Sequence, residues 1–270
     1  MIGPFGEAIA LGIVQGATEF LPISSDGHLA LAELLFELEE GGLTFNVMLH
    51  AGTLAATLLV LRQAVGRAVR AGIPALVRPA RFKESSSGRD ALVVILASVP
   101  TAVIGLLFRD AVEVWTKSPL AIGLGFLGTT AMLLVAQFSP RGDREQPSIA
   151  GALLVGVAQG LAVLPGLSRS GSTIAVLLWL GVRPERAFTL SMLISLPAVL
   201  GALLLESRHV GAEPFPGMSA LVGALVAFGT GVFALVLLRR IVNLGRFGWF
   251  ALWMGPLALA TIAMGQSWPG

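Results

Sequence analysis

Pro165-Gly166-Leu167-Ser168-Arg169-Ser170-Gly171 interrupts an apolar run that extends from residue 149 to residue 180. A proline, two glycines, two serines and an arginine cannot continue a lipid-facing helix. Irregular backbone at membrane depth is tolerated only where protein or a water-filled cavity satisfies it. The arms on either side, about 10–16 residues each, fall short of the roughly 20 needed to cross the hydrocarbon. The stretch therefore reads as a re-entrant hairpin that enters the membrane, turns near mid-depth and returns to the same side. A second interruption, Pro22-Ile23-Ser24-Ser25-Asp26-Gly27, divides residues 5–36 in the same way.

The composition agrees with a membrane setting. The chain has 270 residues, of which 55% are hydrophobic and 13% charged, against about 25% charged in a soluble domain. Gly and Pro are abundant, as in transmembrane helices. With no cysteine, disulfides and thiolate metal sites are excluded. No basic residue precedes the first apolar run, which contains Glu7 and Glu19, so that run is read as the first hairpin arm and not as a cleavable leader.

Six uninterrupted stretches are long enough to span, at about 44–61, 90–108, 119–138, 185–205, 217–238 and 249–266. Six spans and two hairpins place 62–89, 139–148, 181–186 and 239–248 on one side. That side collects fourteen of the 18 basic residues, leaving Arg109, Lys117 and Arg208 on the other and Arg169 within the membrane. The positive-inside rule makes the basic side cytoplasmic and puts both termini outside. Segment 63–83 is expected to be an interfacial helix on the cytoplasmic surface.

The two interrupted regions resemble each other. Gly12-Ile13-Val14-Gln15-Gly16 matches Gly156-Val157-Ala158-Gln159-Gly160, and each continues to a Pro, a Ser three residues later, and a Gly. One hairpin plus three spans makes each half, and three is odd, so the second copy is inverted. The expectation is an all-α polytopic protein forming a single membrane domain over 1–270. Its first repeat covers 1–138, with hairpin 4–40, and its second covers 148–267, with hairpin 149–180. Such inverted repeats place a site at mid-membrane between discontinuous helices.

Intramembrane charge marks a functional site by default. The breaks carry Glu19, Asp26, His28 and Arg169 among the hydroxyls of Thr18, Ser24, Ser25, Ser168, Ser170, Ser172 and Thr173. After each Pro a new helix begins, with Ser25 or Asp26 and Ser168 or Ser170 as N-caps. Two helix N-termini aimed at the centre favour an anion, above all phosphate. Arg169 adds a forked cation suited to phosphate oxygens. Its alternative role is a salt bridge to Glu19 that locks the hairpins. His28, near Ser25, can serve as nucleophile or base, and Glu19 as acid, base or metal ligand. His50 reads as packing or as support for the site, and His209 as an ordinary loop residue.

On these residues the chain resembles the undecaprenyl-diphosphate phosphatase family, also called the bacitracin-resistance (BacA) family. The motifs are Gln15-Gly16-Ala17-Thr18-Glu19-Phe20-Leu21-Pro22-Ile23-Ser24-Ser25-Asp26-Gly27-His28-Leu29 and Gln159-Gly160-Leu161-Ala162-Val163-Leu164-Pro165-Gly166-Leu167-Ser168-Arg169-Ser170-Gly171-Ser172-Thr173. The resemblance implies a plasma-membrane hydrolase that removes the terminal phosphate of a C55 polyprenyl diphosphate and so recycles the lipid carrier of cell-wall glycan synthesis. It implies a divalent cation, Mg²⁺ or Ca²⁺, and a site open to the outer face. Catalytic roles carry over to Glu19, Ser25 and His28, with Glu19 also a metal ligand. Diphosphate binding carries over to Arg169, Ser168, Ser170, Thr173 and Ser24, with Gln15 and Asp26 in support. Gln15 stands where many members have a second Glu, Asp26 replaces a small polar residue, and Asn46 stands where an acid is common. The expected partners are the lipid substrate and membrane lipid, not nucleic acid. Gly123, Gly125 and Gly128 permit close helix packing, within the chain or in a homodimer. The rival function is a secondary transporter or polyprenyl-phosphate flippase, which the inverted repeat also suits; release of inorganic phosphate separates the two.

Overall fold

The computed structural model describes residues 4–36, 43–206 and 217–267, which are predominantly helical, with no strand among them beyond one isolated bridge between Arg144 and Val182. The first interrupted region forms α1 (Pro4–Thr18) and α2 (Ser25–Phe36), and the second forms α8 (Ile149–Leu161) and α9 (Arg169–Trp179). Residues 37–40 of the first expected hairpin, and Arg208 and His209, lie outside the described residues. The other helices are α3 (Leu43–Val60), α4 (Arg62–Val77), α5 (Ser86–Leu107), α6 (Arg109–Trp115), α7 (Pro119–Gln137), α10 (Pro184–Glu206), α11 (Gly217–Asn243) and α12 (Ala251–Ser267).

Five helical stretches among the described residues are long and apolar enough to cross a membrane, and a sixth candidate, at the sixth expected span, is the bent pair of α3 and α4 taken together. The chain is a polytopic helical membrane protein. Large apolar side chains such as Leu107, Phe138, Phe233 and Leu252 face outward, a surface that suits lipid and not water. Between α3 and α4 the axis bends by 82°, which sets α4 across the spans, as an interfacial helix requires. Its apolar Ile73, Leu76 and Val77 are exposed while Ala68, Gly72 and Ala75 are buried.

Serine hydroxyls set the helix starts. Ser85, Ser118, Ser148 and Ser168 accept from the backbone N–H of Gly88, Ala121, Gly151 and Gly171 respectively, filling donors left free in the first turn. At the start of α2 the same bond runs from Gly27 N–H to Ser24 Oγ at 3.3 Å.

The packing partnerships exchange between the halves. Helix α1 lies on α11 and α8 lies on α5, while α7 pairs with α12 and α3 crosses α10. The Thr101 hydroxyl on α5 reaches the Gly156 carbonyl of α8 at 3.0 Å. The Thr230 hydroxyl on α11 reaches the Gly12 carbonyl of α1 at 3.2 Å. Gly12 and Gly156 are the matched first residues of the two repeated motifs, so the contacts correspond. Gly123, Gly125 and Gly128 are all used within the chain, against Ile262, Pro165 and Leu167.

On the face that collects the basic loops, Arg186 pairs with Asp90 and with Glu145, and Arg183 also reaches Glu145. Gln146 donates to Asp90 at 2.9 Å. This cluster ties the starts of α5 and α10 to the segment that leads into the second hairpin.

Candidate active site

The two breaks meet. A Cβ placed on Gly27 would lie 2.8 Å from Gly166 Cα, and one placed on Gly171 would lie 3.3 Å from Pro22 Cβ. Thr129 of α7 braces the second tip, donating to the Gly166 carbonyl at 2.7 Å and accepting from Ser168 N–H at 2.9 Å.

Glu19 and Arg169 form an ion pair across this junction. The carboxylate is 4% exposed and the guanidinium 28% exposed. Oε2 of Glu19 also accepts from the Ser25 hydroxyl and from the Gln15 side-chain amide, each at 3.2 Å. The Gln15 amide lies 3.1 Å from Nδ1 of His50 on α3, and that nitrogen is 3.9 Å from Glu19. A buried carboxylate taken from water is costly unless charge and hydrogen bonds compensate it. Here one cation, one hydroxyl and one amide do so.

Glu19, Arg169 and Ser170 lie at a cleft between α3 and α10. Thr53 and Thr57 from α3, and Ser191 and Ser195 from α10, give it a hydroxyl wall, while Phe20, Leu54, Met192, Leu196 and Val199 supply its apolar part.

Not every expected residue enters this cleft. Ser168 caps α9, with its hydroxyl 3.3 Å from that of Ser170. Ser24 is buried at φ 64° and its hydroxyl caps α2. Thr173 is fully buried, with its hydroxyl 2.8 Å from the Arg169 carbonyl and 2.6 Å from Ser191. Asp26 is exposed in the first turn of α2. His28 turns toward α7 and α12. Its Nδ1 is 2.9 Å from the Ser24 carbonyl, and the indole N–H of Trp253 donates to its Nε2 at 3.1 Å.

Sequence reasoning missed Thr129, Ser191 and Trp253. The adjacent hydroxyls Thr129-Thr130 inside an apolar span were a usable signal for the first. Gln159, the repeat partner of Gln15, donates to the Ile194 carbonyl on α10 at 3.2 Å, just as Gln15 reaches His50 on α3.

Among the described residues, no three His, Asp or Glu side chains gather as metal ligands. Glu19 already takes Arg169, Ser25 and Gln15. Hard divalent cations want several oxygen ligands, so this donor set does not fit a metal held by protein alone.

Residues 8–260 match the family model described as "Bacitracin resistance protein BacA". A protein of Desulfatibacillum aliphaticivorans named undecaprenyl-diphosphatase is 39% identical over 258 residues, covering 91% of this chain and 93% of the relative. One of the same name from Salinibacter ruber is 38% identical over 256 residues, covering 91% and 93%. A third, from Bacteroides fragilis, is 34% identical over 267 residues, covering 96% and 98%. With the match running through both hairpins and the spans between them, the chain belongs to the bacitracin resistance protein BacA family.

Proposed function

We infer that this protein hydrolyses undecaprenyl diphosphate to undecaprenyl phosphate and inorganic phosphate. The observation that carries this reading is the Glu19–Arg169 pair joining the two hairpin tips, with the Ser25 hydroxyl on the same carboxylate. In the absence of substrate, Glu19 serves Arg169 as counter-ion. A terminal phosphate offers the guanidinium a better-matched fork of oxygens. Its arrival releases Glu19 beside Ser25, where the carboxylate can take a proton from the attacking oxygen, that of Ser25 or of a water held on it. Ser25 and His28 stand three residues apart on α2, a spacing that lets side chains share a helix face. The imidazole can serve as a second proton acceptor once its Nε2 is freed from Trp253. Arg169, with Ser170 at the head of the cleft, carries the charge that spreads over the phosphoryl oxygens, which is most of what such a transfer needs. The prenyl chain remains in lipid or along the apolar side of the cleft.

A divalent cation, Mg²⁺ or Ca²⁺, is proposed to arrive on the diphosphate itself. The purified protein in detergent is expected to release inorganic phosphate from the C55 diphosphate, to lose that activity in chelator and to regain it with either cation. No release under any of these conditions overturns the reading in favour of transport.

The halves 1–138 and 148–267 are proposed to be inverted copies. The matched Thr101–Gly156 and Thr230–Gly12 contacts support this. The basic face is then cytoplasmic, and the termini and the mouth of the site are outside. The natural absence of cysteine makes a direct check available. Lys117→Cys is expected to react with a membrane-impermeant maleimide added to intact cells, and Lys83→Cys only after lysis. The reverse pattern inverts the topology.

A further inference from the structure

Both nitrogens of the His28 imidazole are engaged. Nδ1 lies 2.9 Å from the Ser24 carbonyl oxygen, which can only accept, so Nδ1 carries the hydrogen and Nε2 the lone pair. The Trp253 indole N–H, 3.1 Å away, takes that lone pair. The two rings lie nearly parallel, planes 13° apart and centroids 6.4 Å apart, as an edge-to-edge hydrogen bond requires, and Phe126 packs against His28 at 5.2 Å. A neutral imidazole has one basic nitrogen, and in this arrangement it is capped. Ser25, three residues earlier on the same helix, is meanwhile held by Glu19. Trp253 is 57% exposed on α12, so its ring can leave His28 without opening the packed interior. Turning the imidazole toward Ser25, on the preceding turn of α2, also requires Nδ1 to leave the Ser24 carbonyl.

We propose that Trp253 is a positioning residue that holds His28 in a resting rotamer, its basic nitrogen capped by the indole until that exposed ring swings out. No covalent bond changes. One hydrogen bond, indole N–H to imidazole nitrogen, is exchanged for indole N–H to water or a lipid oxygen at the exposed face of α12, and the imidazole lone pair is set free. The proposal rests on the phosphatase reading for its purpose, but the contact can be tested separately.

Diethyl pyrocarbonate acylates an unprotonated imidazole nitrogen that carries a free lone pair, and mass spectrometry of peptides locates the adduct. Trp253→Phe keeps an aromatic ring and removes the donor. In detergent without substrate, the His28 adduct is expected to form about fivefold faster in Trp253→Phe than in the natural protein, the ratio that loss of one ordinary hydrogen bond gives, while the His50 rate stays the same. With C55 diphosphate, kcat/KM is expected to rise about threefold, because less of the enzyme rests in the capped state. Equal His28 rates in the two proteins overturn the proposal whether or not the enzyme turns over. A tenfold fall in kcat at unchanged KM also overturns it, since the indole would then belong to the productive arrangement. Failure of the phosphatase reading alone looks different: neither protein releases phosphate, yet the His28 rates still differ.

Discussion

Arg169→Ala is expected to lower kcat for the C55 diphosphate by about a thousandfold, the scale on which one preorganised charge-stabilising group acts. It is also expected to cost stability, for a separate reason. The variant strands the Glu19 carboxylate, which is 4% exposed, with only Ser25 and Gln15 to compensate it. Breaking a buried pair from one side costs about 3 kcal/mol, which for a chain of this size is a fall in Tm of roughly 6–12 °C. Glu19→Gln should be milder in stability, because the partly exposed Arg169 can turn toward water. The informative protein is the double variant, Arg169→Ala with Glu19→Gln. With no charge left to bury, it is expected to recover most of the lost Tm while its turnover stays at or below that of Arg169→Ala. Thermal melts and phosphate release on the four proteins check both halves. A double variant as unstable as Arg169→Ala would falsify the coupling, and an Arg169→Ala enzyme within tenfold of normal turnover would remove Arg169 from the reaction.

That ion pair was readable in the sequence only as an alternative. Glu19 and Arg169 announce themselves because each is a charge inside an otherwise apolar, interrupted segment. The same cost that makes them visible also predicts that they find each other when no anion is present. The structure shows the locking role; on the proposed reading the binding role belongs to the same side chain when the anion is present. The hairpins were legible for a similar reason. Proline, glycine and clustered hydroxyls break the apolar run in both halves, and Ser168 caps α9 as expected, whereas α2 is capped by Ser24 and not by the expected Ser25 or Asp26, because the Ser25 hydroxyl is spent on Glu19. The bend between α3 and α4 was legible from the change to an Arg-rich segment at Arg62.

Other parts were hidden. Nothing local distinguishes Trp253 from the other tryptophans, and its partner lies 225 residues away. Thr173 sits in a hydroxyl-rich motif that suggests phosphate contacts, yet its hydroxyl turns to Ser191 of α10 and back to the Arg169 carbonyl. A hydroxyl at helical depth has its own i−4 carbonyl as a standing competitor for any ligand, and spacing alone does not say which prevails. The paired Thr101 and Thr230 contacts emerge only after the halves are set against each other in space, because each threonine bonds to a glycine of the opposite half.

Gly166→Val is expected to abolish the folded state, with no monodisperse protein recoverable in mild detergent. The residue adopts φ +86°, a region that a β-branched side chain enters only at high cost. The space is also closed: a Cβ there would lie 2.3 Å from the Ile122 carbonyl oxygen and 2.7 Å from the Phe126 backbone nitrogen. Both atoms belong to the backbone of α7 and cannot yield as a side-chain tip can. Relief would need the second hairpin tip to withdraw from α7, which breaks the Thr129 brace at Gly166 and Ser168 and the contact with Gly27. The combined penalty exceeds about 4 kcal/mol, enough to unfold a marginally stable protein. Gly27→Ala should be gentler, since Gly27 sits in a helix without a positive φ and its backbone clashes, 2.8 and 2.9 Å from Gly166, are longer than the 2.3 and 2.7 Å at Gly166. Gly66→Ala in α4 provides the control, because a Cβ there meets nothing within 4 Å. It is expected to keep activity and to gain about 0.5–1 kcal/mol from helix propensity. Size-exclusion profiles and melting curves of the three variants measure the series, and a well-folded Gly166→Val protein would mean that the tips do not meet as closely as Gly27 and Gly166 require.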